Sequence, residues 1–238
     1  MPVLLSTPME AQQYLVKLWS QIRAKFDREK ITVYGFRVCE PQHDGTPHWH
    51  LLLFIREEHT TIVREIFKTY ALKEDGNEPG ADKHRFQAVP IDYQRGPATG
   101  YIAKYISKNI DEFGIDDDLE GNKANAEASA ERVVAWASTW GIRQFQQCGG
   151  PPVTVLRELR KVKNTPEGIL SEAFKAADTG KWSKFIKIMG GTNSIRTEQP
   201  VKLAKAWNEQ EGKYGEPLGW QIFGVEADNQ ILTTHLHI

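Results

Sequence analysis

Residues 31–55, ITVYGFRVCEPQHDGTPHWHLLLFI, decide how this chain folds. Ile31 to Glu40 is rich in β-branched and aromatic residues, PQHDGTP supplies turn residues around Asp44-Gly45, and His48 to Ile55 is strand-like again. The stretch therefore reads as a β-hairpin with a longish loop. Side chains alternate faces along a strand, so His48 and His50 project from one side, about 7 Å apart along the chain. Glu40 ends the partner strand, and closing the hairpin brings its carboxylate beside the two imidazoles. Two neutral imidazoles and a carboxylate form a mixed nitrogen and oxygen site suited to Mg²⁺ or Mn²⁺. Glu40 reads equally well as a polar strand end, and a His-X-His pair on a sheet surface is common by chance. His43, in the loop, is a spare ligand candidate.

Working outward, Thr7-Pro8-Met9-Glu10 is a capping box with proline at the first helical position, and Tyr14, Leu18, Ile22 and Phe26 follow at four-residue spacing. That pattern predicts a long opening helix. Ile62, Ile66, Phe67 and Tyr70 predict an amphipathic helix, a glycine and proline loop covers residues 75–81, and Arg85 to Ile91 is expected as a third strand. Gly96-Pro97 opens a helix expected to run to about Asn109. The acidic stretch DEFGIDDDLEGNKANAEA reads as a solvated connector. Val133 to Trp140 closes another helix, and Ile142 to Gln147 is a strand candidate.

After the break Gly149-Gly150-Pro151-Pro152, residues 151–210 hold eleven Lys/Arg and six Asp/Glu. This basic tract is expected to be a mainly helical extension. Trp220 to Val225 and Ile231 to Ile238 have strand composition around an Asp228-Asn229 turn. His235 and His237 read as the polar side of that last strand. The expected fold is α+β: a central antiparallel sheet flanked by helices over residues 1–150, then a basic, mainly helical extension over 151–238.

Composition narrows the function. The chain has 238 residues with 30 Lys+Arg against 31 Asp+Glu, a formal charge of −1. No global basic excess draws in phosphates, so any case for nucleic acid rests on local features. The longest purely aliphatic or aromatic run is Leu51 to Ile55, far short of a bilayer span, and the opening MPVLLSTPME lacks the basic and apolar regions of a secretion signal. Cys39 and Cys148 match no zinc pattern and fit a reducing cytoplasm.

A second constellation is GYIAKYISKN, residues 100–109. On a helix Ile102, Ile106 and Ile110 form a core stripe, while Tyr101, Tyr105 and Lys108 form its neighbour. Each tyrosine has a lysine three residues on, Lys104 and Lys108. An ordinary amphipathic helix explains the same pattern. A phenol is a poor nucleophile near neutral pH unless positive charge stabilises its anion.

The order PHWHLLLF, then GYIAKYISKNID, then GIRQFQQCGGPPVTVLRELRK resembles the HUH endonucleases, named for histidine-hydrophobe-histidine, and among them the phage replication gene A protein family of rolling-circle initiators. The resemblance covers at least Ile31 to Lys163. It implies that His48, His50 and a third polar ligand, Glu40, hold a divalent metal. It also implies that Tyr101 and Tyr105 are paired nucleophiles and that Lys104 and Lys108 sit beside the phosphate. The implied reaction nicks single-stranded or locally melted DNA at a replication origin, leaving a 5′-phosphotyrosine and a free 3′-OH. A host helicase and polymerase would be partners. Arg157, Arg160, Lys161 and Lys163 are the candidate DNA phosphate contacts in the basic tract. Competing readings are a two-tyrosine transposase or plasmid relaxase, and a non-catalytic DNA-binding module whose tyrosines only stack on bases. A metal-dependent hydrolase barrel is disfavoured, because the required alternation of strand and helix is missing.

Overall fold

Helix α1, Pro8–Arg28, starts where its sequence signal lies. Thr7 and Glu10 close the capping box, with the Glu10 amide donating to Thr7 Oγ1 at 3.3 Å and the Thr7 amide donating to Glu10 Oε2 at 2.7 Å. The Thr7 backbone N–H holds the exposed Glu10 carboxyl below its ordinary pKa. Trp19, Ile22 and Phe26 are buried, whereas Tyr14 is 39% exposed. The inward stripe is thus rotated toward Trp19 relative to the four-residue ladder that starts at Tyr14.

This computed structural model describes residues 6–92, 94, 98, 100, 126–163 and 166–234. The chain divides into two compact units, Met1–Cys148 and Gly149–Ile238.

In the first unit, β1 (Val33–Pro41) and β2 (Pro47–Ile55) pair antiparallel, from Val33↔Ile55 to Pro41↔Pro47. The connecting loop closes through Gln42 N–H donating to Thr46 O at 2.8 Å and Gly45 N–H donating to Gln42 O at 2.9 Å, with Gly45 at φ 81°. Helix α2 (Thr60–Ala71), the short α3 (Ala81–His84) and α4 (Ala126–Thr139) follow. Strand β3 (Phe145–Cys148) then pairs antiparallel with the other side of β1, giving the order β2-β1-β3.

Alternation divides the sheet into two faces. One carries Val33, Leu51, Leu53, Ile55 and Cys148, which pack against Trp19, Ile22 and Phe26 of α1 and Val63 and Ile66 of α2. Trp19 stacks on Phe67 at 5.8 Å between ring centroids, and Phe67 stacks on Phe86 at 5.5 Å. Aromatic pairs of this kind add about 0.5–1.5 kcal/mol beyond their buried area. The other face carries Tyr34, Phe36, Glu40, His48, His50 and Phe54.

The expected third strand over Arg85–Ile91 is corrected by the structure. Helix α3 ends at His84, and irregular backbone occupies that stretch. Arg85 donates to the Glu74 carbonyl and pairs with Glu78, and Phe86 is taken by the α2 aromatic stack. Val89 is 83% exposed and Pro90 lacks an amide donor, so no ladder forms. The third strand of the sheet is β3, from the stretch Ile142–Gln147 suggested. The helix expected from Gly96 to Asn109, the acidic connector through residue 125, and His235 and His237 lie outside the described residues.

The second unit contains α5 (Val153–Leu159), α6 (Gly168–Asp178) and α7 (Trp182–Ile188), then a sheet of β4 (Lys202–Glu211), β5 (Pro217–Ala227) and β6 (Gln230–Thr233) in that order. Helix was expected out to Gln210; β4 instead begins at Lys202, because Leu203 and Val225 pair across the ladder and close over the helical core. That core centres on Leu159, Phe185, Met189, Val201 and Val225, all fully buried. Asp228 and Asn229 adopt φ of 48° and 62° between the paired Ala227 and Gln230, the two-residue turn whose twist suits a hairpin. Among the described residues no helix is long and apolar enough to cross a membrane.

Candidate functional site

The β1–β2 register sets Glu40 opposite His48 and Val38 opposite His50. Directly paired residues share a face, and diagonal neighbours lie within reach of long side chains. His50 Nε2 lies 3.1 Å from Glu40 Oε2, and the His48 and His50 rings are 4.7 Å apart at their centroids, crossed at 72°. Glu40 is 7% exposed, while His50 is half-buried and His48 exposed. The group grades from a buried carboxylate to an imidazole in solvent. His43 is exposed in the loop.

These donors fit a divalent cation in type. Two ring nitrogens and a carboxylate on one face suit Mg²⁺ or Mn²⁺, which accept oxygen and nitrogen ligands and keep open positions. Their present placement is one step short of a ligand set. Among the described residues no three His, Cys, Asp or Glu side chains converge so as to hold a metal ion. Gln42 supplies an outer contact, with its Nε2 position 3.3 Å from His48 Nδ1. The amide turned the other way would accept a proton from Nδ1 and leave Nε2 for a ligand, the arrangement that fixes metal-binding histidines.

The strand bearing the histidines is pinned from behind. Trp49, between them, points to the opposite face, where its Nε1 donates to Gln12 Oε1 at 2.9 Å. The Arg37 guanidinium lies over the Trp49 ring at 3.9 Å. Gln12 also accepts from the Cys39 thiol at 3.5 Å, and burial pushes that thiol up to about 11. Trp136 of α4 donates from Nε1 to the Gly45 carbonyl at 3.0 Å, tying down the hairpin loop. Gln12, Arg37 and Trp136 were not singled out from the sequence, because each acts on a residue far away in the chain and leaves no local pattern.

Of the other candidates, Tyr101, Lys104, Tyr105 and Lys108 lie outside the described residues. Arg157, Arg160, Lys161 and Lys163 belong to the second unit and are all exposed at the C-terminal end of α5. Arg157, Arg160 and Lys161 share one side of a helical turn by their spacing. Lys161 Nζ is engaged with Glu158 at 2.7 Å.

Residues 4–113 match the family described as bacteriophage replication gene A protein (GPA). The chain is 41% identical over 239 residues to "Probable replication protein P12" of Pseudoalteromonas phage PM2, covering 97% of this chain and 37% of that protein. It is 41% identical over 241 residues to "Replication gene A protein" of Escherichia phage P2, covering 97% of this chain and 31% of that one. It is 33% identical over 237 residues to "Probable replication endonuclease from prophage-like region" of Salmonella paratyphi A, covering 92% and 30%. The chain thus spans about a third of the length of these curated relatives. No solved structure matches it significantly.

Proposed function

The chain belongs, through residues 4–113, to the bacteriophage replication gene A protein family, and on that premise we propose that it nicks one DNA strand at a replication origin and keeps the cut end as a tyrosine ester, the chemistry of HUH endonucleases. The reading is carried by the meeting of Glu40, His48 and His50 across the hairpin, at the end of one sheet face. Relatives named as replication proteins and replication endonucleases support it. The DNA would be single-stranded or locally melted, in the host cytoplasm, with a host helicase and polymerase extending the process.

His48, His50 and Glu40 would hold Mg²⁺ or Mn²⁺, whose charge neutralises the non-bridging oxygens of the scissile phosphate and eases departure of the leaving oxygen. Tyr101 or Tyr105 supplies the nucleophile. Its phenol gives up a proton, its oxygen forms a bond to phosphorus, and the bond from phosphorus to the 3′ oxygen breaks. That oxygen takes up a proton and becomes the 3′-OH that primes synthesis. The ester exchange conserves the bond count, so rejoining requires no nucleotide triphosphate. Lys104 and Lys108 contribute positive charge that favours the phenolate over the phenol. Two tyrosines four residues apart allow a second cut while the first still holds a 5′ end. In the second unit, Arg157, Arg160, Lys161 and Lys163 hold phosphates farther along the strand.

Incubation with labelled origin-like single strands and Mn²⁺, followed by a denaturing gel, tests the reading. A protein band carrying DNA, mapped by peptide analysis to Tyr101 or Tyr105, is the expected result. Phenylalanine keeps the ring and removes the hydroxyl, so nicking by Tyr101→Phe/Tyr105→Phe protein would refute the mechanism.

A further inference from the structure

Behind the sheet, on the face opposite Glu40 and the histidines, lies a groove of about 710 Å³ between α1 and the segment leading into β3. Lys17 of α1, Arg37 of β1, Arg143 before β3 and Gln146 within it line the groove, with the Trp140 indole at one side. Its lining includes no Asp or Glu, on a chain whose net charge is −1.

Arg37 is the unusual member. It is 2% exposed, yet among the described residues no carboxylate pairs with it. One guanidinium nitrogen donates to the Arg143 carbonyl at 3.4 Å, and Nε has no hydrogen-bond partner. An arginine offers five donors, and burying them without acceptors is costly. Burial holds its pKa below the ordinary value; apart from the Cys148 and Cys39 thiols, the charged groups acting on it are Arg143 and Arg23, which push the same way as burial. The cation is retained where no protein anion balances it.

We infer that this groove binds a backbone phosphate of single-stranded DNA, with Arg37, Arg143 and Lys17 as its cationic partners and Trp140 as a stacking surface for the adjoining base. The inference rests on the reading that the chain acts on DNA. Arginine forks suit phosphate oxygens, and an indole wall suits an unpaired base, whereas an acidic peptide would have no use for the latter. The volume exceeds what a lone anion needs and lies within the range of sites for larger ligands. β3 is an edge strand among the described residues. A DNA strand rounding that edge reaches both faces of the sheet, so the groove would grip the strand away from the scissile phosphate. Arg37 also stacks on Trp49, between the two histidines, so filling the groove would steady the strand that carries them.

The test avoids the buried arginine, whose loss endangers folding. Lys17 and Arg143 are exposed, so Lys17→Ala/Arg143→Ala protein should fold, as circular dichroism would verify. Binding of a fluorescent oligothymidylate to the full chain is followed by anisotropy across a salt series. Each lost phosphate contact on a single strand lowers the slope of log K against log salt by about 0.7, so the pair should lose roughly 1.4, or roughly 25-fold in affinity near 0.1 M salt. Unchanged slope and affinity in the folded variant would overturn the groove, as would displacement of the DNA by polyglutamate at equal charge concentration. With no divalent metal added, His48→Ala/His50→Ala protein should keep the parental slope, and with Mn²⁺ present it should fail to nick. If the parent shows no nicking but the Lys17/Arg143 variant still loses slope, the nicking mechanism fails and the groove stands.

Discussion

Gly35→Ala is the sharpest test of the ladder that assembles the site. Gly35 lies mid-strand in β1, paired with Leu53 on one side and Cys148 on the other. A Cβ added there would stand 2.0 Å from the Leu52 carbonyl oxygen and 3.0 Å from both Leu52 C and Leu53 Cα, all of them backbone atoms. Ordinary contact begins near 3.4 Å, so the β1–β2 backbones would have to part by roughly 1.4 Å (3.4 less 2.0). Forced backbone shifts of this kind cost about 1–3 kcal/mol. One ladder hydrogen bond weakened in the process adds about 1 kcal/mol. The lower entropy of an unfolded alanine offsets only about 0.4–1 kcal/mol. The net loss is about 2–3 kcal/mol, which for a unit of this size lowers Tm by roughly 5–10 °C. Because Glu40 and His48 are the next-to-last pair of the same ladder, Mn²⁺ binding should weaken along with stability. Scanning calorimetry of parent and variant, with Mn²⁺ titration on each, measures both effects. A variant melting within a degree of the parent would refute the close approach at Gly35 and the register argument built on it.

Further outcomes follow from three other features. Calorimetric Mn²⁺ titration should show binding in the parent and none in His48→Ala/His50→Ala protein; where the metal stands at a hundred times its Kd, the parent alone should gain about 2.7 kcal/mol in stability, and equal affinity in both would remove the metal assignment. Cys39, pushed up to about 11 by burial, should resist alkylation near pH 8 until the protein unfolds. Because the native thiol keeps its proton while the unfolded one loses it near its ordinary value of 9.0, stability should fall as pH rises from about 9 toward 11, and the fall should be smaller in Cys39→Ala protein, where only the Cys148 thiol, also raised by burial, remains. Neutralising Arg157, Arg160 and Lys163 should each flatten the salt dependence of single-strand binding by about 0.7 of slope, and a triple variant with the parental slope would make that cluster a solvated helix end.

Local chemistry makes much of this protein legible in its sequence. The capping box at Thr7–Glu10, the hairpin around Asp44-Gly45, same-face histidines at 48 and 50, and the Asp228-Asn229 turn all depend on contacts within a few residues, so their signals lie in short stretches of sequence. The order of motifs along the chain carried the family resemblance for the same reason. Longer-range matters were decided by packing. Nothing near Arg85–Ile91 announces that Phe86 will join the Phe67 stack and leave Val89 exposed, since strand composition cannot say whether a partner edge is available. Nor could composition place β4 at Lys202, whose inward residues become necessary only once Phe185 and Leu159 present an apolar surface to cover. At the site, the sequence by itself supplied the donors, while the structure determined their grading from buried Glu40 to exposed His48 and the bracing of Trp49 by Gln12 and Arg37. Those contacts join residues up to 37 positions apart, and only the folded chain, with side chains alternating across a sheet and a helix laid behind it, brings them within a hydrogen bond's length.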